Sequence, residues 1–124
     1  MKEEKKVTAL RGACCAENNS QDMVRQVCAL YDELLRQNNL TEEHIISVLF
    51  SVTPDLDEKN PAAALRQGGR AKDLALFAVQ EAVVKGGLER CVRVLIHAYT
   101  GADQTIKHIY QNGAEILRPD RAAK

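Results

Sequence analysis

Between residues 20 and 37 the apolar positions recur at helical spacing. Met23, Val24, Val27, Leu30, Tyr31, Leu34 and Leu35 share one face, and Asp22, Arg25, Gln26, Asp32, Glu33 and Arg36 share the other. The pattern predicts one long amphipathic helix. Asn18, Asn19 and Ser20 supply the oxygens that cap its first turn, and Asn38-Asn39 suits its end.

Around this helix the apolar runs are shorter and read as strands. Residues 7–15 form a first strand interrupted by Gly12, and Ile45–Val52 a second. Thr53-Pro54-Asp55 ends the second, because proline cannot donate to a ladder. Pro61 suits the first position of a short Ala-rich helix, Pro61–Gln67, which Gly68-Gly69 stops. Residues 74–84 predict a third strand, Lys85-Gly86-Gly87 a turn, and residues 91–99 a fourth strand. Residues 103–112 fit a second amphipathic helix with Gly113 as its end signal, and Ala114–Leu117 a last short strand before Arg118-Pro119. The order β-α-β-(α)-β-β-α-β implies an α+β domain, a mixed β-sheet packed with one long and one or two short helices. One domain spans residues 1–124, with charged tails at 1–6 and 121–124. One long helix cannot cover this much apolar strand surface, so association between copies is expected.

Composition narrows the function. The chain is 45% apolar, enough for a core, but only 4% aromatic with no Trp, which argues against a base-stacking nucleic-acid surface. Lys plus Arg and Asp plus Glu are 17 each, so no global field holds nucleic acid or an anionic membrane. A bound anion must be met by a local group of cations. No apolar run approaches the roughly 20 residues of a membrane helix, and the charged start lacks a signal-peptide core, so a cytoplasmic protein is expected. Cys14, Cys15, Cys28 and Cys91 show no C-x-x-C spacing, which fits a reducing compartment, structural thiols and no metal site.

Arg93 stands out, because it interrupts the apolar run Cys-Val-Arg-Val-Leu-Ile. A guanidinium in such a place needs an anionic partner. Glu81, across the Gly86-Gly87 turn, would make a structural ion pair; a ligand is the alternative. Arg11 also lies in a strand, beside Gly12, whose missing side chain lets a ligand or another chain come close. Two such arginines suit a small dicarboxylate, unless they are unrelated surface residues. His44, His97 and His108 have no metal or catalytic spacing. Cys14-Cys15 lacks a nearby base, which weakens a thiol-enzyme reading. An anion site without acid, base, metal or cofactor fits either a binding protein or an enzyme that works by shape and electrostatics alone.

The segments Arg11-Gly12-Ala13, Thr53-Pro54-Asp55-Leu56, Pro61 to Arg66, Gln80-Glu81, Gly86-Gly87-Leu88, Cys91, Arg93-Val94, His108-Ile109-Tyr110 and Leu117-Arg118-Pro119-Asp120 resemble, in order and spacing, the monofunctional homotrimeric chorismate mutases. The resemblance covers residues 10–120. It implies a trimeric pseudo-α/β barrel with sites between subunits, a chorismate substrate, and neither cofactor nor metal. It further implies that Arg11 and Tyr110 hold a substrate carboxylate, Arg93 donates to the ether oxygen and Glu81 accepts from the ring hydroxyl. Leu117 would pack nearby, while Arg66, Ala62, Leu76 and Phe77 would come from the neighbouring subunit. Asn60 departs from the aromatic that members often carry there, Ala63 from a lysine that some carry, Ala78 from a thiol or hydroxyl, and Phe77 from a small polar residue. A non-catalytic trimer binding an anionic metabolite is the second reading.

Overall fold

A computed structural model describes residues 4–118. Five strands form one mixed sheet: β1 (Lys5–Cys15), β2 (Ile45–Val52), β3 (Ala75–Gln80), β4 (Cys91–Gly101) and β5 (Ile109–Gln111), in the spatial order β3-β2-β4-β1-β5. β4 is antiparallel to both β1 and β2, whereas β3 runs parallel to β2 and β5 parallel to β1. Two helices, α1 (Ser20–Gln37) and α2 (Pro61–Gln67), cover one face.

The core lies between that face and the helices. Leu10 and Cys14 of β1, Val48 and Phe50 of β2, and Val92, Val94 and Ile96 of β4 meet Met23, Val27, Leu30, Tyr31 and Leu34 of α1 and Leu65 of α2, all essentially out of solvent. Strand alternation sends the intervening residues, Arg11, Ala13, Leu49, Ser51, Arg93 and Leu95 among them, to the uncovered face.

Both helices carry the caps that the sequence calls for. The Asn19 side chain accepts from the Asp22 amide at 2.7 Å, and buried Asp22 in turn accepts from the Glu17 amide at 2.6 Å. That amide, with Arg25 and Gln26 assisting against burial, holds the Asp22 carboxyl below its ordinary range. Asn60, the residue that departs from the family aromatic, caps α2 by accepting from the amides of Ala62 and Ala63. Gly12 faces the helices: a Cβ there would lie 2.8 Å from the Ile109 carbonyl oxygen and 3.0 Å from Leu34 Cδ1. The close approach its small size permits is therefore that of its own chain.

Three expected elements differ. Residues 103–112 are not a helix; they form a turn and an extended segment leading into β5. The side chain of buried Asn38 takes over the backbone groups of Lys107, donating to its carbonyl at 2.9 Å and accepting from its amide at 2.8 Å. Gln104 donates to the Asn38 carbonyl at 2.7 Å. Ala114–Leu117 is a short 3-10 helix instead of a strand, opened by Gly113 at φ 98°. β3 stops at Gln80 and not at residue 84: its last ladder bond runs from the Glu81 amide to the Val52 carbonyl, where β2 ends. Val83 and Val84, apolar enough to suggest more strand, have no neighbour to pair with and are exposed.

Candidate functional site

The uncovered face places Arg11 and Arg93 on paired strands. Leu95 is opposite Arg11, and Arg93 is flanked by Ala13 on one side and Ser51 on the other, so the two guanidinium stems rise from diagonal positions of one face. Between them opens a cleft of about 300 Å³ lined by Arg11, Leu49, Ser51, Val79, Arg93, Leu95, Tyr110, Leu117 and Arg118 among others. Among the described residues that line it are three arginines and no carboxylate. An apolar floor with converging guanidinium groups favours a compact anion, because a low dielectric strengthens each charged contact.

Arg93 forms the wall between this cleft and a second hollow of about 360 Å³, which Glu81, Thr53 and Cys91 also line. The ion pair with Glu81 exists, but it is loose. It runs from Nε to Oε1 at 3.5 Å, and the Arg93 side chain keeps 47% of its exposure. Ser51 donates a short hydrogen bond to the same carboxylate oxygen. Ser51 and Arg93 share that oxygen, and because the Arg93 contact is long and uses only Nε, the other N–H groups of the guanidinium can meet a ligand.

Tyr110 and Leu117 reach the cleft from β5 and the 3-10 turn, and both pack in a small cluster with Ala13, Cys91 and Ala114. Arg11 is held through its backbone: its amide donates to His108 Nδ1 at 2.9 Å. Phe77 stands 64% exposed on the same face, opposite Leu49 on the neighbouring strand. Leu76 alternates to the other face and packs on the core of its own chain, as does Ala78. Ala62 is buried within α2. Arg66 is exposed on α2, donates to the Leu74 carbonyl at 3.4 Å, and does not line the cleft of its own chain. Pro119 and Asp120 lie outside the described residues.

Two polar lining residues were not singled out from the sequence as site residues, Ser51 and Arg118. Ser51 was legible as a polar break in the run Ile-Ile-Ser-Val-Leu-Phe-Ser-Val, and Arg118 as a third cation beside Leu117. The histidines have local partners: His44 accepts from the Thr41 amide, and His97 lies 3.2 Å from the Ser47 hydroxyl. None of the thiols carries an activating shift. Burial pushes Cys14 far up and Cys91 up to about 11, and raises Cys15 and Cys28 as well.

Comparison with known proteins bears on this geometry. A family profile described as chorismate mutase type I matches residues 7–121. The chain is 31% identical over 116 residues to the chorismate mutase AroH of Bacillus subtilis (strain 168), covering 92% of this chain and 91% of that protein. With AroH of Thermus thermophilus it shares 34% over 117 residues, covering 92% and 95%. A solved chorismate mutase from Clostridium thermocellum superimposes with a TM-score of 0.80 at 39% identity, covering 89% of this chain and 99% of that one.

Proposed function

Because the chain belongs to the type I chorismate mutase family, we propose that the arginine-lined cleft rearranges chorismate to prephenate by an intramolecular Claisen-type reaction. One C–O bond breaks as one C–C bond forms; no proton moves and no covalent intermediate is needed. The protein has two tasks. It selects the compact diaxial conformer of a dianion, which is positioning. It then stabilises negative charge growing on the ether oxygen as the bond breaks, which is electrostatic.

The residues divide these tasks. Arg11 and Tyr110 hold a carboxylate, Arg93 donates to the ether oxygen, and Glu81, fixed by Ser51, accepts from the ring hydroxyl. Leu117 packs against the ring. The loose Arg93–Glu81 pair is the observation that carries the reading, since a guanidinium held only by one long Nε contact keeps its terminal N–H donors for a transition state.

The cleft is open in a single protomer, and Phe77, Val79 and Leu49 expose apolar surface on its face, with Tyr99 exposed further along β4. That surface supports a homotrimer with the sites between subunits. Arg66 and Ala62 would close each cleft from the neighbour together with the strand carrying Leu76 and Phe77, Leu76 through its backbone. A cytoplasmic site of action fits the sequence, and among the described residues no helix is long and apolar enough to cross a membrane.

The decisive experiment follows the loss of chorismate absorbance with purified protein and no added cofactor or metal, alongside native mass measurement. Turnover by a trimer supports the reading. Saturable chorismate binding without absorbance loss overturns it in favour of a metabolite-binding protein.

A further inference from the structure

Cys15 and Cys91 are direct partners across the β1–β4 ladder. The next bond outward runs from the Ala16 amide to the Arg90 carbonyl at 3.0 Å. This makes the cysteine pair a non-hydrogen-bonded position, where antiparallel strands bring their Cα atoms to about 4.5 Å and their side chains closest together. A disulfide spans Cα separations of about 4.4–6.8 Å. The two thiols lie on one face, the Cys15 thiol donating to the Glu89 carbonyl at 4.0 Å, and all four cysteines of the chain are reduced. The other two are placed differently: Cys14 turns to the helix side, with Sγ 3.7 Å from the Gln26 carbonyl, and Cys28 lies 3.9 Å from the Ala64 carbonyl.

Access is unequal. Half-buried Cys15 lines a broad hollow of about 930 Å³ with Gly87, Arg90 and Gly113. Cys91 is 2% exposed and lines the neighbouring hollow together with Arg93.

We propose that Cys15 and Cys91 form an oxidation site that a small-molecule disulfide of the glutathione type converts to a cross-strand disulfide. The Cys15 thiolate attacks one sulfur of the oxidant, breaking its S–S bond and releasing one small thiol. The Cys91 thiolate then attacks the Cys15 sulfur and expels the second small thiol. Two protein thiols are oxidised, one disulfide is reduced, and the two protons leave on the released thiols. Burial holds both protein thiols above their ordinary range, so the reaction is slow near neutrality and accelerates with alkaline pH.

The bond matters because Cys91 lies two residues from Arg93 on the same face of β4, and both line the hollow that holds Glu81. Closing the disulfide turns the sulfur toward Cys15 and constrains the strand two residues from the stem of Arg93. A displacement of about 1 Å near the chemistry can cost up to about 10² in rate. The coupling to turnover rests on the role assigned to Arg93 above; the oxidation site itself does not.

The test incubates the whole protein with oxidised glutathione, then applies peptide mapping without reduction and a chorismate assay. The expected product has lost two hydrogens, carries no retained glutathione, and joins the peptides containing Cys15 and Cys91. Its turnover falls about tenfold and recovers with dithiothreitol. Cys15→Ser keeps the basal turnover and makes it insensitive to the oxidant. A stable glutathione adduct on Cys15, or a folded protein left unmodified, overturns the site. Closure with unchanged turnover overturns the coupling to Arg93. If the reduced protein does not consume chorismate, the mutase reading fails, while the mapping still decides the site.

Discussion

Replacing Arg93 by Ala separates what the residue does for folding from what it does for turnover. Its ion pair with Glu81 is long, at 3.5 Å, and both side chains see solvent, at 47% and 25% exposure. A pair of that kind contributes roughly 0–1 kcal/mol. Glu81 is not orphaned by the change, because Ser51 still donates to the same oxygen and the Glu81 amide still bonds the Val52 carbonyl. A loss of about 1 kcal/mol moves the Tm of a domain this size by about 4 °C. Losing a preorganised donor to a developing oxyanion costs about 3–4 kcal/mol, or about 10²–10³ in kcat. Arg93→Ala is therefore expected to melt within about 5 °C of the parent while turning over chorismate at least a hundredfold more slowly. The assay is the initial rate of chorismate absorbance loss over a range of substrate concentrations, with circular-dichroism melts on the same samples. Arg93→Lys keeps the charge but not the fork, and it should fall between the two. Turnover within about threefold of the parent refutes the mechanism. A fall in rate matched by a Tm drop beyond about 10 °C refutes the claim that the guanidinium is held for chemistry and not for folding.

Ser51→Ala should free Glu81 to close on Arg93 and lower kcat/KM about tenfold, since a hydrogen bond to a charged group contributes about 1.5–3 kcal/mol; Ser51→Thr, which keeps the hydroxyl, should recover most of it, and equal losses in both variants contradict the positioning role. Asn38→Ala strips the Lys107 amide and carbonyl of their side-chain partners and should cost about 2–3 kcal/mol in urea unfolding, with hydrogen exchange rising first in residues 103–108; unchanged exchange there counts against the explanation for that segment. Asp22→Asn tests the acid limb of stability. The Asp22 carboxyl is held below its ordinary value of 3.8, so its contribution is fully present above that pH and disappears as the pH falls through the lowered value. The variant should be less stable at pH 7, with the gap narrowing below pH about 4; a gap that is constant with pH refutes the assignment.

The sequence was most informative where local chemistry and long-range packing ask for the same thing. α1 has its cap at Asn19 and an apolar stripe that meets the sheet, and Asn60-Pro61 starts α2 at the predicted residue. It was least informative where one side chain reorganises a distant backbone. Nothing in residues 103–112 announces that Asn38, some 70 positions earlier, supplies the hydrogen bonds a helix there would have made. Likewise, Val83 and Val84 have strand chemistry but no strand, because the neighbour they would need has ended at Val52. Candidate site residues followed a third logic. Arg93 and Arg11 were visible because a charge in an apolar strand violates the pattern that burial imposes, and such violations gather where a ligand completes the balance. Leu76 shows the limit of that logic. It obeys the core pattern, packs on its own chain's core, and carries no signal that distinguishes a cleft-forming strand from any other buried one. A residue that contributes through its backbone, or across a subunit boundary, leaves no irregularity in its own chain. The cation pair can therefore be inferred from one sequence, whereas the walls that a neighbouring protomer would bring to it cannot.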